Sequence, residues 1–179
     1  MPRVDPSKLL GGLAALGALL FGSVLLGGSL LAIFGADPPG PGDEAPAFAL
    51  PRLGGGRDGS AEYAGEVMLL DFWTTTCVGC IGATPRLNRL HEEYRHRGFS
   101  VVSLNQEPDD LARVKRVVRE RSIRYPVLLD SGAVADDYGV AAFPTVVLVD
   151  TSGTIRAVHE GPVAESRLRR EIEALLPER

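Results

Sequence analysis

"VMLLDFWTTTCVGC", residues 67–80, joins an apolar run to the two cysteines of the chain. Val67–Trp73 has the length of a strand and only one polar residue, the pattern of a strand buried on both faces of a sheet. Beyond the cysteines, Leu87, Leu90 and Tyr94 recur at helical spacing until Gly98. Cys77 and Cys80 are thus predicted at a strand-to-helix turn. A helix N-terminus offers free N–H groups and partial positive charge, which stabilise a thiolate and lower its pKa.

Further along, "FSVVSLN" (99–105) reads as a second apolar strand and "PDDLARVKRVVRERS" (108–122) as an amphipathic helix. "YPVLLD" (125–130) is a short strand, followed by a small helical segment through Tyr138. "PTVVLVDTSGTIRAVHEG" (144–161) reads as two strands around a tight turn at Thr151–Gly153, and "ESRLRREIEALL" (165–176) as a closing helix. Upstream, "AFAL" and "AEYAGE" flank the Gly-rich turn "RLGGGRDGS". Strands alternating with helices, then a hairpin and a helix, predict an α/β fold with a sheet covered on both faces.

The N-terminus is of another kind. Leu9 to Ala36 holds no charged residue and as a helix would reach about 40 Å, enough to cross a hydrocarbon core of about 30 Å. No good small-x-small cleavage site follows it, since Phe34 lies three residues before a cut after Ala36. An uncleaved signal anchor is therefore expected. Arg3 and Lys8 precede the run while Asp37, Asp43 and Glu44 follow it, which places the N-terminus in the cytoplasm and the remainder outside. The expected organisation is an anchor over 1–36, a Pro/Gly linker over 37–45 that joins neither helix nor sheet, and a folded domain over 46–179. A net charge of -4 in 179 residues gives no reason to expect nucleic acid. The basic stretch 113–124 (Arg113, Lys115, Arg116, Arg119, Arg121, Arg124) reads as a solvated face in preference to a dock for an acidic partner.

Two cysteines are too few for a stapled scaffold. A zinc site wants four ligands, and His91, His96 and His159 are scattered. A disulfide across two residues closes a tiny loop and stabilises little. Redox exchange is the preferred reading, with Cys77 the attacking thiol and Cys80 the resolving one. Copper binding by the two thiolates, a chaperone module without turnover, is the alternative. Asp71 within the buried run is either a carboxyl whose pKa burial raises, suited to relaying a proton, or a strand-end acid bonded to backbone. Pro144 opens an apolar strand, where a cis peptide bond and a simple strand-start proline are both open.

These residues together resemble the membrane-anchored, TlpA/ResA-like thiol-disulfide oxidoreductases of the thioredoxin fold. The likeness runs from about Gly42 to the C-terminus, through "GDEAPAFAL", "LLDFW" before C-x-x-C, Pro85, "YPVLLD", "YGVAAFPTVVLVD" and "TSGTI". It implies a mixed sheet flanked by helices and a redox-active Cys77–Cys80 pair needing no other cofactor. It further implies Asp71 as the buried proton-relaying acid, a cis Pro144 facing the disulfide, and Phe143 backbone free to pair with a client. Trp73 and Thr76 complete the expected client-contact residues. The implied partners are client proteins with disulfides or thiols, such as apocytochromes c or copper-site proteins, and a transmembrane thiol donor of the DsbD/CcdA kind.

Three features depart from the family. Thr76 replaces the usual Trp before the first cysteine, Val78-Gly79 lacks the usual proline, and Ala83 stands where many members carry Glu. These bear on reduction potential and partner choice. A peroxiredoxin-like peroxidase is a further alternative: Thr74 fits its motif, but Leu70 stands where that motif has proline.

Overall fold

The computed structural model describes residues 37–177. Among them no helix is long and apolar enough to cross a membrane. The expected anchor over 1–36 lies outside the described residues.

β3 (Val67–Trp73) is buried along its whole length, as its unbroken apolar sequence predicts. It is the middle strand of a five-stranded sheet of order β5-β4-β3-β6-β7. β4 (Phe99–Asn105) runs parallel to it, and β5 (Val127–Leu129) parallel to β4. On the other side β6 (Thr145–Val149) runs antiparallel to β3 and β7 (Ile155–Glu160) antiparallel to β6. The sheet is therefore mixed, with the predicted strands of 67–73 and 99–105 in place and the other three somewhat shorter than read.

Side-chain alternation along β3 sends two sets of residues to two cores. Met68, Leu70 and Phe72 join Val102, Leu104 and Val147 under the short helix α3 (Ala133–Asp137) and under Phe48 and Tyr63. Val67 and Leu69 pack instead against α1 (Val78–Tyr94) and α4 (Glu165–Leu175), through Leu87, Leu90, Leu168 and Ile172. Each fully buried Leu or Phe contributes about 1.5–3 kcal/mol, so the two layers hold β3 rigidly. α2 (Leu111–Glu120), capped by Asp110, which accepts from Arg113 N–H at 3.0 Å, covers the end of the sheet nearest the cysteines through Val114.

Two expectations need correction. The Gly-rich turn is the bend of a small hairpin, β1 (Ala49–Pro51) with β2 (Arg57–Gly59), and the second strand was not read from sequence. Three consecutive positive-φ glycines, Gly54–Gly56, make that bend. The second correction concerns residues 37–45, expected as a linker outside the sheet. Gly42 N–H donates to Ile155 carbonyl at 2.8 Å, Ile155 N–H donates back to Asp43 at 2.9 Å, and Glu44 bridges Thr154. Its backbone groups find partners on the turn between β6 and β7, so the folded unit starts by Pro38 rather than at residue 46.

Candidate active site

β3 ends at Trp73 and α1 begins at Val78, so the cysteines fall on the turn between them as predicted. Cys77 is the N-cap of α1: its sulfur accepts from Cys80 N–H at 3.1 Å, taking the place of a Ser or Asp oxygen. The two sulfurs are joined in a disulfide with Cα atoms 5.3 Å apart. Cys80 is buried while Cys77 is half-buried, and Val78 between them is 86 % exposed. Cys77 is thus the more accessible residue of the pair and Cys80 the withdrawn one.

The peptide bond Phe143–Pro144 is cis. Pro144 lies against the cysteine motif, its ring carbon Cδ 3.3 Å from where a Cβ on Gly79 would stand. The Pro144 carbonyl accepts from Gly161 N–H at 2.7 Å and the Ala142 carbonyl from Thr145 Oγ1 at 2.8 Å. Among the described residues neither N–H nor C=O of Phe143 takes part in a hydrogen bond, and its side chain is 39 % exposed. The structure therefore sets buried Pro144 against the Cys77–Cys80 turn at Gly79, with Phe143 next to it in sequence and Thr76 exposed just ahead of Cys77. Trp73 does not belong there. At 2 % exposure it supports Cys80 and Val114 from below rather than meeting a client.

Asp71 is buried on the α1 side of β3, paired in register with Ser103 of β4. Burial pushes its carboxyl up to about 7, with the Arg86 guanidinium and Ser103 pulling back only part of the way. Although Ser103 is close enough to act on the carboxyl, Asp71 Oδ1 and Ser103 Oγ make no hydrogen bond of good geometry. Among the described residues the buried side-chain polar atoms without a partner are these two, Trp73 Nε1 and Arg86 Nε. They all come from the β3–β4 end and from α1, and native interiors leave few such groups without a functional reason. A carboxyl that is half protonated near neutral pH suits proton exchange with a thiol. Burial and the charge of Asp71 also hold the Tyr125 phenol well above its usual range.

Sequence reasoning missed Tyr125 and Glu107. Glu107 follows β4, and its carboxylate accepts from Thr75 N–H and, at 2.8 Å, from Thr75 Oγ1. Adjacent parallel strands deliver their following loops to one edge. The polar "NQE" (105–107) that ends the strand 99–105 and leads out of it is the available signal.

Among the described residues no group of three or more His, Cys, Asp or Glu could hold a metal ion. His91 accepts from Val101 N–H at 3.2 Å and His159 pairs with Glu171 at 2.7 Å, each fixed within the fold.

A family described as AhpC/TSA matches residues 41–158. Thiol-disulfide oxidoreductase ResA of Halalkalibacterium halodurans is 31 % identical over 138 residues, covering 76 % of this chain and 78 % of that protein. The chain belongs to the AhpC/TSA family, as a ResA-like thioredoxin-fold oxidoreductase. The thioredoxin-like protein YneN of Bacillus subtilis is 27 % identical over 134 residues, covering 74 % of this chain and 78 % of that one. Among solved structures, a Chlorobium tepidum protein described as thiol:disulfide interchange protein DsbE aligns with a TM-score of 0.73 and 30 % identity, over 78 % of this chain and 99 % of that one. The fold is thioredoxin-like and the activity is thiol-disulfide oxidoreduction. In this chain Leu70 lies inside β3 between Val102 and Val147. A peroxiredoxin-type proline there would cost a central strand a ladder hydrogen bond.

Proposed function

We propose that this chain is a membrane-anchored oxidoreductase whose redox domain lies on the extracytoplasmic, periplasmic side and reduces disulfides of client proteins. The observation that carries the reading is the asymmetry of the pair: Cys77 half-buried at the helix N-cap, Cys80 buried behind it. The Cys77 thiolate attacks one sulfur of a client disulfide, forming a mixed disulfide and releasing the other client sulfur as a thiolate that takes up a proton. Cys80 then gives its proton to the Asp71 carboxylate and attacks Cys77 Sγ. The bond between Cys77 Sγ and the client breaks, the departing client thiolate takes up the proton that Asp71 releases, and the client leaves as a dithiol with Cys77–Cys80 a disulfide, two electrons having passed to the client.

The apolar run 9–36 and its flanking charges support the anchor and the exported domain. An exported reductant must be re-reduced, so a transmembrane thiol donor of the DsbD/CcdA kind is the proposed electron source. Apocytochromes c and copper-site proteins are the proposed clients, on the strength of the family resemblance.

The test is a trap. Cys80→Ala leaves the mixed disulfide at Cys77 unresolved, and the attached client is then identified from membranes. Capture of a disulfide protein, with a reduction potential near thioredoxin's about -270 mV, is the expected result. A potential near -120 mV would reverse the direction to oxidation. Stoichiometric copper binding with no reduction of insulin would replace the reading with a copper chaperone.

A further inference from the structure

Thr75 stands two residues ahead of Cys77, and both its backbone N–H and its hydroxyl donate to the Glu107 carboxylate. Glu107 is itself held. Its N–H donates to Asn105 Oδ1 at 3.0 Å, and Asn105 Nδ2 donates to Glu107 Oε2 at 3.4 Å. Asn105 is fully buried at the end of β4, the register partner of Trp73 at the end of β3. Between them, Gln106 N–H donates to the Trp73 carbonyl at 3.1 Å. The loop after β4 is therefore tied to the loop before Cys77 at Trp73 and again at Thr75.

The composition of that loop gives the tie its importance. Thr74, Thr75 and Thr76 offer no large apolar side chain to pack, and Thr76 is exposed. Within the loop only the Cys77 N–H to Thr74 carbonyl bond at 3.3 Å and a Thr74–Thr76 hydroxyl contact at 3.3 Å hold the turn. Both are long. Hydrogen bonds to an ionised carboxylate are stronger than such neutral ones, so the Glu107 bridge is the main restraint on the approach to Cys77. Attack on a disulfide needs the incoming sulfur in line with the bond that breaks, and misplacement is costly in rate.

We propose that Glu107 is a positioning residue for Cys77, fixing the Thr74–Thr76 loop so that the sulfur meets a protein disulfide in line. The role rests on the thiol-disulfide exchange described above. It acts through Thr75, and the tie counts more than the charge. Glu107→Gln separates the two: the amide oxygen accepts from Thr75 N–H, and the amide nitrogen donates to Thr75 Oγ1, leaving the bridge but no charge.

The experiment uses the full chain in detergent, with insulin as the protein disulfide and iodoacetamide as a small probe of the reduced Cys77 thiolate. Glu107→Ala is expected to slow insulin reduction about tenfold while the high-pH plateau of iodoacetamide alkylation stays within about twofold, because a small reagent needs no docking geometry. Glu107→Gln is expected to recover insulin reduction to within about threefold of the wild type, and Thr75→Val, which loses one of two bonds, to fall between. Insulin reduction by Glu107→Ala at the wild-type rate overturns the proposal. So does an equal loss in Glu107→Gln, which would make charge the cause. If Glu107→Ala fails to fold, Thr75→Val decides: wild-type insulin reduction by that variant overturns the role. A wild type inert toward insulin overturns the reductase reading instead, so the two failures are distinct.

Discussion

A Cβ on Gly79 would stand 3.3 Å from Pro144 Cδ, so the residue between the cysteines and the cis-proline share a contact surface. Gly79 also lies in the first turn of α1, where exchanging Gly for Ala normally stabilises a helix by about 0.5–1 kcal/mol. In Gly79→Ala the gain is opposed by a contact tighter than side chains usually make, with Pro144 buried and tied through its carbonyl to Gly161. The expected outcome is a stability change within about 1 kcal/mol but a severalfold loss of insulin reduction, because the proline must move away from the disulfide. Urea unfolding of the oxidised form beside the turnover assay checks both. A variant as active as the wild type would show that this surface is not the docking surface.

Val78 follows the half-buried Cys77 almost wholly in solvent, and Phe143, with its backbone N–H and C=O unused, precedes the proline that lies against Gly79. Truncating an aromatic anchor at a docking surface commonly costs more than 1 kcal/mol of binding, roughly five- to tenfold in affinity. Phe143→Ala should therefore raise KM for a protein disulfide by that factor. Exchange with dithiothreitol, too small to reach position 143, should change less than about twofold. Equal losses with the protein disulfide and with dithiothreitol would place Phe143 in support of the disulfide rather than in client contact.

Most of this arrangement was legible in the order of residues, for reasons that are local. "VMLLDFW" has the period of no helix face and the length of a strand, and Cys77 lies where a helix must begin. Asp71 announces itself as a carboxyl within an apolar run. What escaped depends on contacts between distant parts of the chain. Nothing in "DPPGPGDEAP" says that its backbone will find partners on the turn around Thr154, since prolines argue for a free linker and sheet pairing is decided by the other strand. The family resemblance makes Trp73 an expected client contact. Its alternation with Phe72 sends the indole inward on the α1 side. Glu107 is thirty residues from the cysteines in sequence terms and adjacent only because β3 and β4 are parallel neighbours, roughly one strand–helix–strand unit apart.

Asp150 closes the turn between β6 and β7, accepting from Ser152 N–H at 2.9 Å, from Thr154 N–H at 3.0 Å and from the Arg156 guanidinium. Burial would raise its pKa, but the hydrogen bonds from Ser152, Thr154 and Arg156 outweigh it and hold the carboxyl well below the usual range. A depressed folded pKa contributes stability that is present above the unfolded value, near 3.8, and lost as pH falls toward the folded one. Asp150→Asn is expected to destabilise the oxidised domain by about 1–3 kcal/mol at pH 7 and to lose most of that difference by about pH 2. Urea midpoints at the two pH values test this. A penalty independent of pH would mean that the turn needs the shape of the side chain and not its charge.

Asp71 has the opposite sign. Its folded pKa of about 7 lies above the unfolded value of 3.8, so the folded form is fully stable with the carboxyl protonated below the unfolded pKa. Stability then falls as pH rises through about 7, where a charge must be carried in the interior beside Ser103 and Arg86. Asp71→Asn removes the ionisation, and its stability relative to the wild type should increase between pH 4 and pH 8 by on the order of 2–4 kcal/mol, then level off. If the carboxyl also relays the proton of Cys80, the same variant should reduce insulin at least tenfold more slowly, with the loss seen in resolution of the Cys77 mixed disulfide rather than in its formation. Stopped-flow separation of the two steps decides the matter. A variant that is more stable at pH 8 but resolves at the wild-type rate would keep Asp71 as a buried acid and take the relay away from it.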